Sequence, residues 1–154
     1  HLLDGGHHRI VQGIVAFELP LPPSVNSAFA SGRSGSHRTI KTAEYRAWQR
    51  EVREEFGDHG EALPRLCQGR YGLWIDLPVE HEMRGDIDNR IKLVSDILKG
   101  PSKTSPNALG VVVDDEHMKG LHVEFLPGLV EQRCVVTVVA LAAWPSYVVM
   151  RMEP

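Results

Sequence analysis

Cysteine is scarce in this chain, and so are long apolar stretches. The two cysteines, Cys67 and Cys134, lie far apart and form no CxxC pair. They indicate neither a disulfide framework nor a zinc site, so a reducing, cytoplasmic setting is the expectation. The longest apolar run, near Cys134 to Trp144, is too short to cross a bilayer, and no signal-peptide pattern stands at the start.

The common nucleotide-binding and hydrolase motifs are missing as well. No GxGxxG, P-loop, GxSxG or HExxH pattern occurs, and the histidines show no ligand spacing. Apart from His117, which lies next to a pair of acids, the histidines are interpreted as surface residues. These absences exclude the usual phosphate-binding loops, the serine-hydrolase turn and the zinc-protease helix.

Positive charge is in slight deficit overall, but it is concentrated in one segment. The formal net charge of −3 excludes a protein coated in basic charge, but not a local nucleic-acid-binding patch. From Arg33 to Arg53 there are six Lys/Arg residues and two acids. The candidate contacts to a DNA backbone in this segment are Arg33, His37, Arg38, Lys41, Arg46 and Arg50.

Hydrophobic patterning predicts alternating strands and helices. Period-two alternation indicates strands in "IVAFELP", "RYGLWIDLPVE" and "GLHVEF". The near-continuous apolar stretch "RCVVTVVALAA" is typical of a strand at the centre of a sheet. A helix is predicted where Tyr45, Trp48, Val52 and Phe56 share one face, and a second follows in "RGDIDNRIKLVSDILKG".

These elements predict an α+β two-layer fold. A length of 154 residues and 42% hydrophobic content suit a single domain, residues 1–154. The predicted order is β-α-β-α-β-β, with a mixed sheet of about four strands packed against two helices. Residues 1–10 are expected to be irregular, and a short extra strand is considered at Val111 to Val113.

The second predicted helix starts with two aspartates. Asp86 lies at or just before the first turn, and Asp88, Lys92 and Asp96 form a polar stripe beside an apolar one. The simple interpretation is that Asp86 caps the helix, Asp88 favours its dipole and Lys92 pairs with Asp88. For a DxD pattern alone, capping is the preferred interpretation.

A second acid pair favours a metal site over simple capping. Asp114 and Asp115 follow three valines, so they stand at the end of an apolar run. A turn in which Asp114 bonds its own backbone explains one aspartate well and two less well. If both acid pairs converge, their hard oxygen ligands select Mg²⁺ or Mn²⁺ rather than zinc, and such sites serve phosphoryl chemistry. Lys92 would then contact the scissile phosphate.

The sequence resembles the RusA family of Holliday junction resolvases in three segments, found in the family's order. These are "LPLPPSVNSAF", "GDIDNRIKLVSDIL" and "VVVDDEHM", with a further match in the basic "SHRTIKTAEYRAW". The resemblance implies that Asp86, Asp88 and Asp115 are the essential acids, with Asp114 as a companion ligand and Lys92 as the catalytic lysine.

The resemblance also implies the partners and the biological setting. It implies a Mg²⁺-dependent homodimer, in which Mn²⁺ substitutes, that binds four-way DNA junctions and makes paired nicks in recombination and repair. A bacterial or phage origin and a cytoplasmic, nucleoid-associated location follow from the same resemblance. An apolar patch at Trp74, Trp144 and Tyr147 would suit a dimer interface.

Two departures from the family pattern affect the choice of DNA substrate. The loop "KGPSKTSPNALG" is longer than usual, and "HEMRGD" holds one arginine where some members are strongly basic. Three alternatives therefore stay open. They are a nuclease for other branched DNA, a non-catalytic junction-binding module of the same fold, and a structural α/β domain whose acids are caps and turns.

Overall fold

The described part of the chain forms a mixed sheet with helices on both faces. The computed structural model describes residues 8–11, 13–23, 29–31, 39–56, 69–78, 87–130 and 132–153. The strands are β1 (His8–Val11), β2 (Ile14–Pro20), β3 (Phe29–Ser31), β4 (Thr39–Lys41), β5 (Tyr71–Pro78), β6 (Met118–Leu126) and β7 (Arg133–Ala140). The helices are α1 (Ala43–Phe56), α2 (Ile87–Ile97) and α3 (Trp144–Met152).

The main sheet has five strands in the order β1-β2-β7-β5-β6. Only β5 and β6 run parallel, and the other neighbours are antiparallel. A parallel pair needs a crossover connection, and α2 lies in that connection. β7 is the central strand and is buried along its length, so the predicted mixed sheet and the predicted position of "RCVVTVVALAA" are confirmed.

Four strands or helices differ from the prediction. β1 includes residues 8–10, which were expected to be irregular, because it pairs with β2 as an edge strand. β3 and β4 form a two-stranded ribbon in a segment for which no strand was predicted. α3 was not predicted, and at the possible strand Val111 to Val113 only Val112 makes a β-bridge. No helix among the described residues is long and apolar enough to span a membrane.

The larger part of the core lies on one face of the sheet, which is called the helical face below. It is covered by α1, α2 and the segment 109–112. The predicted apolar face of α1 is buried here, and Phe56 meets Phe17 of β2 edge-on, with ring centroids 5.2 Å apart. The side chains of β5 alternate as predicted, so Leu73 and Ile75 face these helices.

The opposite face, the α3 face, is covered by fewer and larger side chains. Trp74 of β5 packs edge-on against Trp144 and Tyr147, with centroids 5.4 and 4.7 Å away. Trp144 lies directly over Gly120, where an added Cβ would come within 2.2 Å of its ring. The aromatic residues proposed for a dimer interface thus pack on one another within the chain, and Trp74 and Tyr147 are buried.

A buried carboxylate is neutralised at this face. Asp76 of β5 accepts hydrogen bonds from both terminal nitrogens of Arg151 in α3, at 3.1 and 2.8 Å. Arg151 also donates to the Tyr147 hydroxyl at 2.8 Å and to Glu124 at 2.9 Å. The contact with Asp76 raises the pKa of Arg151. Because a buried charge without a partner is costly, this network fixes α3 against the sheet.

Candidate metal and DNA site

The first acidic motif lies at the N-terminal end of α2. The helix begins at Ile87, so Asp86 precedes it and lies outside the described residues. The structure describes the backbone of Asp88 in the first turn but not its side chain. Lys92 lies one turn further on and is exposed. The metal-ligand assignments of Asp86 and Asp88 therefore stay predictions.

Arg90 connects this end of α2 to the segment that follows β2. Its Nη1 atom donates a hydrogen bond to the carbonyl oxygen of Pro22, just after β2. Pro22 belongs to the "LPLPPS" segment, and Arg90 belongs to the acidic motif. Two segments that are far apart in sequence are thus held side by side at the edge of the helical face.

The C-terminal end of α2 is tied to the segment that carries the second acid pair. Three carbonyl groups at this end accept backbone hydrogen bonds from the returning chain, so these helix-end groups are satisfied. The bonds run from Leu109 N to Ile97 O at 2.7 Å, from Gly110 N to Lys99 O at 2.7 Å and from Val112 N to Leu98 O at 3.1 Å. Asp114 and Asp115 follow directly.

Asp115 is paired with a lysine that the sequence did not single out. The Nζ atom of Lys99 lies 3.0 Å from Asp115 Oδ2 and 3.3 Å from Asp96 Oδ1. A hydrogen bond with the Asp114 side chain, together with Lys99, lowers the pKa of Asp115. Partial burial opposes the charge of Lys99, but its contacts with the two acids outweigh burial and raise its pKa. Asp115 is therefore ionised and Lys99 is protonated at neutral pH.

The turn considered for the second acid pair forms through backbone atoms, with His117 N donating a hydrogen bond to the carbonyl oxygen of Asp114 at 3.3 Å. Asp114 precedes a short 3-10 turn at Asp115–His117, but its side chain makes no capping hydrogen bond and its backbone is extended. The Asp115 side chain is 46% exposed, so its carboxylate remains accessible to solvent. The exposed Asp115 carboxylate is therefore available for a ligand.

Along α2, the backbone of Asp88 and the lysine that contacts Asp115 lie at opposite ends of the helix. Asp88 precedes Asp96 by eight residues. At the rise of an α-helix this separates their Cα atoms by about 12 Å along the axis. Asp115 lies at the Asp96 end. Within the described part of the chain, no three His, Cys, Asp or Glu side chains form a metal-binding group.

The donor chemistry at the C-terminal end of α2 nevertheless suits a hard cation. Asp114 and Asp115 offer carboxylate oxygens, the ligands that Mg²⁺ and Mn²⁺ prefer. The Nε2 atom of His117, two residues after Asp115, lies 3.7 Å from a carboxylate oxygen of Glu116. Asp114 and Asp115 can supply part of the coordination shell of a metal ion, and the other oxygen ligands must come from other residues.

The basic segment is only partly described. Arg33, His37 and Arg38 lie outside the described residues. Arg46 and Arg50 are exposed on α1, where they are accessible to a phosphate backbone.

Lys41, the remaining member of the basic segment, is engaged by the long loop after α2. Its ammonium group donates to Ser105 Oγ at 3.0 Å and to the Thr104 carbonyl, and it lies 5.4 Å from the centre of the Tyr45 ring. Burial lowers the pKa of Lys41, although Asp96 acts in the opposite direction. The unusual loop is thus anchored to the basic segment on one side and to α2 on the other.

Two residues of this site, Asp96 and Lys99, were missed as functional candidates. Asp96 was placed on the polar stripe of α2 but given no role. The i,i+3 spacing of the two, with the lysine at the C-terminal end of the helix, was a visible signal for an ion pair. The contact between Lys99 and Asp115 had no local signal, since it spans the loop.

The comparisons with known proteins agree with the motifs. The family model described as "Endodeoxyribonuclease RusA" matches residues 20–138, well over half of the chain. A search of curated proteins finds no match. The matched range includes both ends of α2, the loop and the second acid pair.

Proposed function

Since the chain belongs to the RusA family of endodeoxyribonucleases, which resolve Holliday junctions, we propose that it is a Mg²⁺-dependent enzyme that cuts four-way DNA junctions in recombination and repair. The observation that carries the proposal is the accessible Asp115 carboxylate, held by Lys99 beside the C-terminal end of the acidic-motif helix. Its place of action is the cytoplasm of a bacterial cell, in association with the nucleoid.

The proposed metal ligands are Asp86, Asp88 and Asp115, with Asp114 assisting. When bound, Mg²⁺ or Mn²⁺ would supply an activated water molecule and neutralise charge on the phosphate. Lys92 is exposed on α2 and would contact the scissile phosphate, where its fixed charge stabilises the charge that develops.

A homodimer would complete this ligand set. The distance of about 12 Å along α2 keeps the Asp88 end away from the Asp115 end of the same chain. In a twofold dimer with antiparallel α2 helices, the Asp88 end of each chain lies beside the Asp115 end of its partner. Such a dimer has two equivalent sites, which suits paired nicks in opposed strands.

Basic side chains would position the junction. Arg46 and Arg50 are exposed on α1, and we propose that they contact DNA phosphates together with Arg33, His37, Arg38 and Lys41. Phosphate contacts orient DNA without reading its sequence, so the preference for a junction would come from its shape and from the dimer geometry. Binding should weaken steeply as salt increases.

The first experiment tests junction cleavage directly. Purified protein is incubated with a synthetic four-way junction, with duplex and fork controls, with and without Mg²⁺. Asp88→Asn should abolish Mg²⁺-dependent cleavage and leave junction binding intact, whereas Glu51→Gln, the same loss of charge at an exposed position of α1, should cleave like the wild type. Full cleavage by Asp88→Asn would refute the assignment.

The same assay separates the alternative functions. Junction binding without nicking in either Mg²⁺ or Mn²⁺ identifies a non-catalytic binding module. Preferred cleavage of the fork identifies a nuclease for other branched DNA. Absence of both metal binding and DNA affinity beyond a salt-sensitive background identifies a structural domain.

A complementation experiment tests the composite site. Asp88→Asn and Asp115→Asn proteins are each inactive, but a mixed dimer of the two has one intact site if each site draws on both chains. Mixing them should therefore restore nicking of one strand. No recovery after verified subunit exchange would show that each site lies within one chain.

A further inference from the structure

Lys99 forms ion pairs with two acids. One is Asp115, the exposed acid of the second motif, and the other is Asp96, near the end of the helix that begins with the first motif. The Lys99 ammonium group lies 3.0 Å from Asp115 and 3.3 Å from Asp96. The pair with Asp96 is a local i,i+3 contact within the end of α2. The shorter contact reaches a residue on the far side of the loop, so it is a tertiary contact rather than a helix feature.

A helix-stabilising role alone does not explain this arrangement. Backbone bonds from Leu109, Gly110 and Val112 already tie the returning chain to α2. The segment is thus positioned without the lysine. Lys99 adds a positive charge beside the exposed carboxylate of Asp115. Without Lys99, that carboxylate would lie near the acids Asp96 and Asp114 with no positive charge to balance it.

On the basis of the proposed metal-dependent function, we propose that Lys99 is a positioning residue that acts as an internal counter-ion of Asp115. A divalent cation competes with it for this carboxylate. Lys99 keeps the carboxylate in place in the metal-free protein and thereby sets the metal concentration that the enzyme requires. The Lys99 side chain is 32% exposed, so the ammonium group can move into solvent when a cation binds.

The positive charge of Lys99 decides whether its removal strengthens or weakens metal binding. A unit positive charge a few ångströms from a divalent cation repels it, and in a water-like dielectric its removal strengthens cation binding by about tenfold. The loss of orientation at Asp115 acts the other way, but an exposed ion pair restrains a side chain only weakly. Removal of Lys99 should therefore tighten metal binding.

The test measures Mn²⁺ binding to the full chain by electron paramagnetic resonance, without DNA. Lys99→Met should lower the Mn²⁺ dissociation constant by about tenfold. Lys99→Arg retains the charge and should stay close to the wild-type value. Lys103→Met is the matched control, because Lys103 is an exposed lysine of the same loop, and it should also stay close to the wild-type value.

A double-mutant cycle shows whether the effect acts through Asp115. In an Asp115→Asn background, Lys99→Met should tighten Mn²⁺ binding by clearly less than it does in the wild type, because only the repulsion through space remains once the shared carboxylate is absent. Circular dichroism of each variant confirms that it is folded. If Lys99→Met is unfolded, Lys99→Gln replaces it as the neutral variant.

Several outcomes would overturn the inference. They are unchanged or weaker Mn²⁺ binding by folded Lys99→Met, equal tightening by Lys103→Met, and no Mn²⁺ binding by either wild type or Lys99→Met. The readout contains no DNA. Tightening by Lys99→Met in a protein that cuts no junction would therefore support the role of Lys99 and refute the proposed nuclease.

Discussion

Two of the charge clusters among the described residues, one centred on Arg151 and the other on Lys99, differ in burial. On the α3 face, Arg151 makes two hydrogen bonds to Asp76, whose side chain is 5% exposed. At the end of α2, Lys99 makes single contacts to Asp115 and Asp96, and the Asp115 side chain is 46% exposed. The Asp76 carboxylate of the first cluster is closed to solvent, and the Asp115 carboxylate of the second is open to it.

This difference separates stability from function. A buried carboxylate depends on its partner, so the Arg151 cluster holds α3 on the sheet. An exposed ion pair contributes little to folding, so its partner can be exchanged at low cost. The open cluster therefore suits a site that must accept a metal ion, and the closed one does not.

The largest expected effect is the loss of Arg151. Arg151→Met leaves Asp76 without its partner and should lower the free energy of unfolding by about 3–5 kcal/mol. Urea denaturation measures the change. The double variant Asp76→Leu/Arg151→Met should recover most of the loss, because no uncompensated charge remains. Equal stability of wild type and Arg151→Met would show that the buried pair does not hold α3.

A smaller effect is expected where α3 meets the sheet. Gly120→Ala places a Cβ within 2.2 Å of the Trp144 ring, so the ring must move. We expect a loss of about 1–3 kcal/mol, typical of overpacking. The control is Gly69→Ala, since an added Cβ there meets nothing within 4 Å. Thermal unfolding followed by tryptophan fluorescence compares them, and an equal melting temperature for both variants would contradict the prediction.

The smallest effect is expected at the open cluster. Asp115→Asn should cost less than about 1 kcal/mol at pH 7 in metal-free buffer. Because the pKa of Asp115 is lowered in the folded protein, its contribution is present above the unfolded value of about 3.9 and is lost as pH falls through the lower folded value. Urea denaturation at pH 7 and at pH 3 should show the difference shrinking with acidity. A loss comparable to that of Arg151→Met would remove the contrast between the clusters.

Much of the fold could be predicted from local patterns. The alternation of β5, the buried face of α1 and the central position of β7 were all predictable from the spacing of hydrophobic residues. Burial of one face produces a periodic pattern, and burial of both faces of a strand produces a continuous apolar run. β1 was missed because four residues are too few to show a period. α3 was missed because its apolar residues are not confined to one stripe and its start contains Pro145, which the first turn of a helix tolerates.

The candidate site was predictable in its chemistry but not in its geometry. The aspartate motifs and Lys92 were recognisable as residue types at a given spacing, and their roles as ligands and phosphate contact stay predictions. The partner of Lys99 depends on the path of the loop after α2, and so does the contact of Lys41 with Ser105. No local pattern records either contact.

Sequence alone determined four strands of the main sheet and the first two helices, which acids could bind a metal ion, and the family to which the chain belongs. Each of these depends on residues that are close together along the chain. The tertiary structure decided that Asp115 lies at the opposite end of α2 from Asp88, and that Arg151 rather than solvent neutralises Asp76. The physical reason is that these arrangements arise from packing between elements that are far apart in sequence.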